Sequence, residues 1–147
     1  MRHVRAIAFV LLCLHLLVLA AGFAAPYDPV EQARTLPFAP PTRLHFVDAN
    51  GEFHLRAFVY AQDPDPQTFD GYVEDTTQRF PVQMMVAGDA YMLLPGIESR
   101  RHLFGVESPA RISLLGTDGF GRDVLPRLLH GGRLSIGAGL LATLCAL

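Results

Sequence analysis

Lysine and tryptophan are absent from this chain, cysteine occurs only twice, and charged residues make up just 18% of it. Each shortage removes a class of function. Without lysine the basic groups are twelve arginines, outnumbered by fourteen acidic residues, and a net charge of -2 offers no field to attract nucleic acid. Cys13 and Cys145 both lie inside apolar runs, so neither can staple the polar middle of the chain. They read as small hydrophobes.

Half of the residues are apolar, and the excess sits at the two ends. All fourteen acidic residues and ten of the twelve arginines fall between Pro26 and Arg133, giving that stretch a charge of 10 minus 14, or -4. The middle therefore faces water. Residues 1–5 carry Arg2 and Arg5 and read as a cytoplasmic N-terminus. In residues 6–25 only His15 can ionise. As a helix this run rises about 30 Å, the thickness of a bilayer's hydrocarbon core, and is expected to be a first transmembrane helix. A cleaved secretory signal is the alternative, because a basic start, an apolar run and the small residues Ala20 to Ala25 serve that purpose too.

Residues 26–113 form the expected extracytoplasmic, β-rich region. Five prolines between Pro26 and Pro41 exclude a helix there and predict an extended exit from the membrane. Two β-prone runs, Leu44 to Val47 and Phe53 to Tyr60, flank Asn50-Gly51 and predict a hairpin with a type I′ turn. Asp63-Pro64-Asp65-Pro66 is expected to end the second strand, leaving a loop to Gln78. A further strand is expected over Phe80 to Val86 and a turn at Gly88-Asp89. Tyr91 to Leu94 and His102 to Val106 follow as short apolar pieces, interrupted by Pro95-Gly96.

No catalytic constellation can be drawn, and the chain is not expected to be an enzyme. Glu74-Asp75 is an unanchored loop pair. Gly116, Gly119 and Gly121 lack the order and the strand–helix setting of a nucleotide loop. His45, His54 and His102 show no metal-ligand spacing, so neither metal nor cofactor is expected. Arg100-Arg101-His102 reads as a solvated turn.

The most informative stretch runs from Leu114 to Ile136. Asp123 suits a helix N-cap, and Pro126 then falls in the first turn, where its missing N–H costs little. Val124, Leu125, Leu128 and Leu129 share one helical face, and Arg127 with His130 another. Residues 114–133 are thus expected to end in a short amphipathic helix at the membrane interface. Residues 134–147 carry no charge and rise about 21 Å, the start of a truncated second transmembrane helix. Its Gly137, Ala138, Gly139, Ala142 and Thr143 would let membrane helices pack closely. Arg127 and Arg133 precede it on the outer side, against the simple charge rule, but two successive spans must alternate.

As a string, Leu115-Gly116-Thr117-Asp118 with Gly121-Arg122-Asp123-Val124-Leu125 and the following Arg127, Leu128, Leu129, Gly131, Arg133 and Ser135 resembles the lead into the second membrane helix of dipeptide, oligopeptide and nickel ABC-transporter permeases. Tyr27-Asp28-Pro29 and the stretch from Gly88 to Glu107 are also similar to members of that family. Pro126, His130 and Gly132 depart from the residues usual there. The resemblance implies a mainly α-helical integral membrane protein fragment with a small β-rich insert, in the bacterial inner membrane and multi-pass. Gly116, Thr117, Asp118, Gly121, Arg122 and Asp123 would be its family signature. The partners implied are a second permease subunit, cytoplasmic ATPase subunits, an extracytoplasmic solute-binding protein and membrane lipids. Such a fragment, without the ATPase-docking loop, is expected to be inactive alone. The alternatives are a secreted β-rich binding module and a two-anchor accessory protein.

Overall fold

A computed structural model of the chain describes residues 2–94 and 96–146. Helix α1 (Arg2–Leu19) is almost wholly apolar and exposed along its length. A break at Ala20 turns the chain into the single-turn helix α2 (Ala21–Ala24), and an extended segment rich in prolines follows. Five strands come next, β1 (His45–Val47), β2 (Phe53–Pro64), β3 (Tyr72–Pro81), β4 (Gln83–Leu94) and β5 (Ile97–Gly105). The last element is helix α3 (Val124–Ala146).

The strands form two antiparallel sheets, one ordered β1-β2-β3 and the other β4-β5. Only Val82 separates β3 from β4, and its N–H donates to the Ala57 carbonyl at 2.9 Å, so the chain passes between sheets with its backbone satisfied. The main core gathers Val59, Phe80, Ala110 and Ile112, with Tyr27, Phe104 and Leu114 packed around them. A second cluster joins the helices, where Ala21, Ala24 and Ala25 close on Leu129 of α3. Val18 of α1 packs there too, and a Cβ on Gly132 would lie 3.1 Å from its Cγ1. Small residues let the helices approach.

The hairpin expected around Asn50-Gly51 forms, pairing Val47 with Phe53 and His45 with Phe58. Its turn is of another kind. Gly51 has φ +84, but Asn50 is not in the left-handed region. The bend is held instead by Asp48 Oδ1, which accepts from Asn50 N at 2.9 Å and Glu52 N at 3.0 Å.

A mainly helical fold is overturned: the chain is 31% helical and 33% strand. Segments expected as loop are paired strand. Proline halts β2 only at Pro64, which pairs with Tyr72 at the end of the ladder, where a missing N–H is tolerated. Gly88 and Asp89 lie inside β4, not at a turn, and Arg100 and Arg101 inside β5. Pro95 lies outside the described residues.

The helices also differ from their expected limits. The first stops at Leu19, and Ala21 and Ala25 are buried in the body of the molecule. No break separates an interfacial helix from a second membrane segment: α3 runs unbroken for 23 residues through Gly131 and Gly132. It alone among the described helices is long and apolar enough to cross a membrane.

Candidate functional site

The loop from Gly116 to Asp123 folds back on itself. Thr117 and Asp123 face each other as an isolated β-bridge, and the Asp118 N–H donates to the Arg122 carbonyl at 2.9 Å. Gly116 and Gly121 take φ +74 and +72, a conformation that costs other residues roughly 1–2 kcal/mol. Asp118 organises the tip. Its Oδ1 accepts the N–H groups of Phe120 and Arg122, and its Oδ2 accepts from Arg122 Nε at 2.8 Å and from Arg127 at 2.5 Å. Burial pushes this carboxyl up, but bonds from the Arg122 side chain and from the backbone outweigh it, and the pKa falls to about 2.

The loop is laced to the extended segment that leaves α2, some eighty residues earlier. Thr117 carries most of this seam. Its N–H donates to the Ala39 carbonyl at 3.0 Å, and its hydroxyl accepts from Ala39 N at 2.8 Å while donating to the Leu36 carbonyl at 2.5 Å. Phe38 N donates to the Asp118 carbonyl, and Ala33 N to that of Gly121, both at 3.0 Å. A segment with so many prolines cannot pair as a regular strand. The loop offers partners singly, where the remaining N–H groups fall.

Asp123 caps α3 as its sequence position suggests, Oδ1 accepting from Leu125 N at 2.9 Å. The residue is only 3% exposed, and its Oδ2 is buried with no hydrogen-bond partner among the described residues. Burial raises its pKa to about 6, against the opposing pull of the Leu125 N–H, the Arg111 charge and the Ser113 hydroxyl. Close by, the Arg111 guanidinium lies 4.0 Å from the ring centre of Tyr27 and pairs with Glu31 at 2.7 Å. Tyr27 Oη accepts from Ile112 N at 3.0 Å, and burial raises its pKa.

All six residues singled out from the sequence therefore meet in one loop at the head of α3, and each has a bonding or conformational task there. What sequence reasoning missed is the other half of the site: the backbone of residues 33–39, the bond from Arg127 to Asp118, and the Tyr27–Arg111–Glu31 group. Tyr27 was visible only as part of Tyr27-Asp28-Pro29. Carbonyls and N–H groups carry no sequence signal.

The histidines do not converge. His45 pairs with Glu74 at 3.0 Å and stacks on Phe58, and His54 packs edge-on against the same ring. His102 sits in the other sheet, with Nδ1 2.6 Å from the Ala25 carbonyl and Nε2 2.9 Å from that of Asp89. Asp48, Glu52 and His54 do bring potential metal-ligand atoms within 4.8 Å of one another. The group is a poor cation site, because Arg79 already donates to Asp48 Oδ2 at 2.8 Å and brings its own positive charge. Asp48 is instead held below the usual carboxylate range by its bond to His54 and by Asn50, Glu52 and Arg79, which together outweigh its burial.

What the loop at the head of α3 can do is mechanical: it makes an apolar helix, the proline-rich segment after α2 and a β-rich body share one set of hydrogen bonds. Comparison of the chain with protein-family models, with curated proteins and with solved structures finds no match.

Proposed function

We propose that this protein is a permease subunit of a binding-protein-dependent ABC importer for peptides or related small solutes. The reading rests on the likeness of the Gly116 to Ser135 string to that family. The observation that carries it is the seam between Thr117 and residues 36–39, which gives a physical purpose to that string at the entrance of an apolar helix. In this reading α1 and α3 lie in the inner membrane, and the strands project on the outer side. Gly137 and Gly139 have open space around their Cα atoms, as a helix awaiting a neighbouring subunit or span requires. The partners would be a second permease subunit, cytoplasmic ATPases and a solute-binding protein, and the chain itself would perform no covalent chemistry.

A secreted module with a cleaved leader is the weaker reading. Ala21 and Ala25 are buried, and the Ala25 carbonyl is bonded to His102, so removing residues 1–25 would strip part of the body. Two measurements test the proposal. Cells carrying Thr117→Val should lose uptake of labelled oligopeptide or of nickel, while the wild-type chain stays in the membrane pellet after an alkaline wash. A soluble chain beginning near Pro26, or unchanged uptake of both solutes on removal of the gene, would sink it.

A further inference from the structure

The carboxyl of Asp123 has a geometry that its capping role does not explain. One oxygen completes the first turn of α3, and the other is enclosed without a hydrogen bond among the described residues, the Ser113 side chain lying beside the carboxyl. An ionised carboxylate so placed has lost the water around one oxygen and recovered little. As a neutral acid it could keep the cap through Oδ1 and carry a proton on Oδ2. We propose that Asp123 is a proton-binding site, and that loss of its proton loosens the head of α3 from the β-rich body.

The surroundings define the chemistry. From the exit segment, Tyr27 and Glu31 face the site, and from the stretch before the loop, Arg111 and Ser113. Glu31 neutralises Arg111 at 2.7 Å, and the guanidinium is laid over the Tyr27 ring. Arg122, next in the chain, is turned away onto Asp118, and Arg127 of α3 is committed to the same carboxylate. His130, two turns into α3, borders a cavity of about 30 Å³ with Tyr27 and bonds through Nδ1 to the Pro126 carbonyl. Among the described residues, the cation that bears on Asp123 is Arg111, and Glu31 already shares it. The helix terminus does favour its negative form, by about 0.3–1 kcal/mol in exposed settings. Burial outweighs this, consistent with a pKa raised to about 6.

The sign follows from linkage. A carboxyl whose folded pKa lies above its unfolded value contributes stability below that value, and the contribution is lost as pH rises through the folded one. With values of 3.8 and about 6, the closed head should weaken about tenfold between pH 5 and pH 8, with little change above pH 7. The inference does not depend on the transport reading, because it concerns only how the helix is held.

The test uses the full chain in lipid nanodiscs. Amide protection, corrected for the intrinsic pH dependence of exchange, is followed at Val124, which donates to the Gly116 carbonyl, and at Leu125, which donates to Asp123. Protection at both should fall about fivefold between pH 5 and pH 6 and about twofold more by pH 7, then level off. Asp123→Asn, uncharged and still able to accept from Leu125 N, should show no step. A flat wild-type profile overturns the proposal, as does a step that persists in the variant. Should that variant fail to fold, carboxyl-carbon NMR of the wild-type chain decides: one aspartate titrating near pH 6 supports the site, and none in that range refutes it.

Discussion

The carbonyl oxygen of Ala33 occupies the space a side chain on Gly121 would need, and the Ala33 N–H donates back to the Gly121 carbonyl at 3.0 Å. The two backbones are in direct contact, and this contact, with the Thr117 bonds, holds the proline-rich segment after α2 to the head of α3.

Gly121→Ala should therefore destabilise the fold by at least about 2 kcal/mol, since it adds a left-handed penalty to a clash with backbone that cannot swing aside. Gly131→Ala, in the same helix region but with nothing within 4 Å of its Cβ, should be neutral or stabilising by up to about 1 kcal/mol. Thermal unfolding of the detergent-solubilised chain, followed by loss of its β signal, separates the two.

Thr117→Val keeps the shape and deletes the hydroxyl, leaving Ala39 N and the Leu36 carbonyl without partners. The cost should be about 2–6 kcal/mol, at roughly 1–3 kcal/mol for each of the two deserted groups. Thr117→Ser retains both bonds and should lose less than about 1 kcal/mol. Equal losses in denaturant titrations of the two variants would show that the hydroxyl is not the joint.

Asp118 predicts a second and separate acid response. Its folded pKa of about 2 lies below the ordinary 3.8, so its contribution is complete above pH 4 and disappears as pH falls toward 2. Wild-type protein should lose stability over that interval, and Asp118→Asn should lose less over the same interval while starting lower at pH 7. Melting temperatures at pH 2.5, 4 and 7 test it, and parallel curves for the two proteins would remove Asp118 from this role.

Leu129 is 5% exposed and is the α3 side chain against which Ala21, Ala24 and Ala25 close. Leu129→Ala should cost about 2–5 kcal/mol and raise exchange at the α2 amides before those of the sheets. Leu128→Ala, one residue away on an exposed face, should change little.

The chain's own order of residues determined a good deal. The apolar ends, the extended run of prolines after residue 25, the hairpin about Asn50-Gly51 though not its turn type, and the cap at Asp123 were all legible, because each depends on the local preferences of a few neighbouring residues. The loop from Gly116 to Asp123 stood out for the same reason. Local preference failed where pairing over distance decides. Asp63 and Pro64 look like an ending, yet Val73 and Tyr72 complete the ladder opposite them, and Gly88 and Asp89 stay within β4 at a slip in its register, where His102 Nε2 lies 2.9 Å from the Asp89 carbonyl. That is why the balance of helix and strand was misjudged. It is also why α3 was read as two pieces: composition changes at Arg133, but a helix continues wherever each carbonyl finds its N–H four residues on. What only the tertiary structure decided is the other side of the site. Thr117 is bonded to backbone atoms of Leu36 and Ala39, which carry no sequence signal, and the burial of Asp123 beside Arg111 and Ser113, with Tyr27 brought in from far along the chain, is set by packing alone.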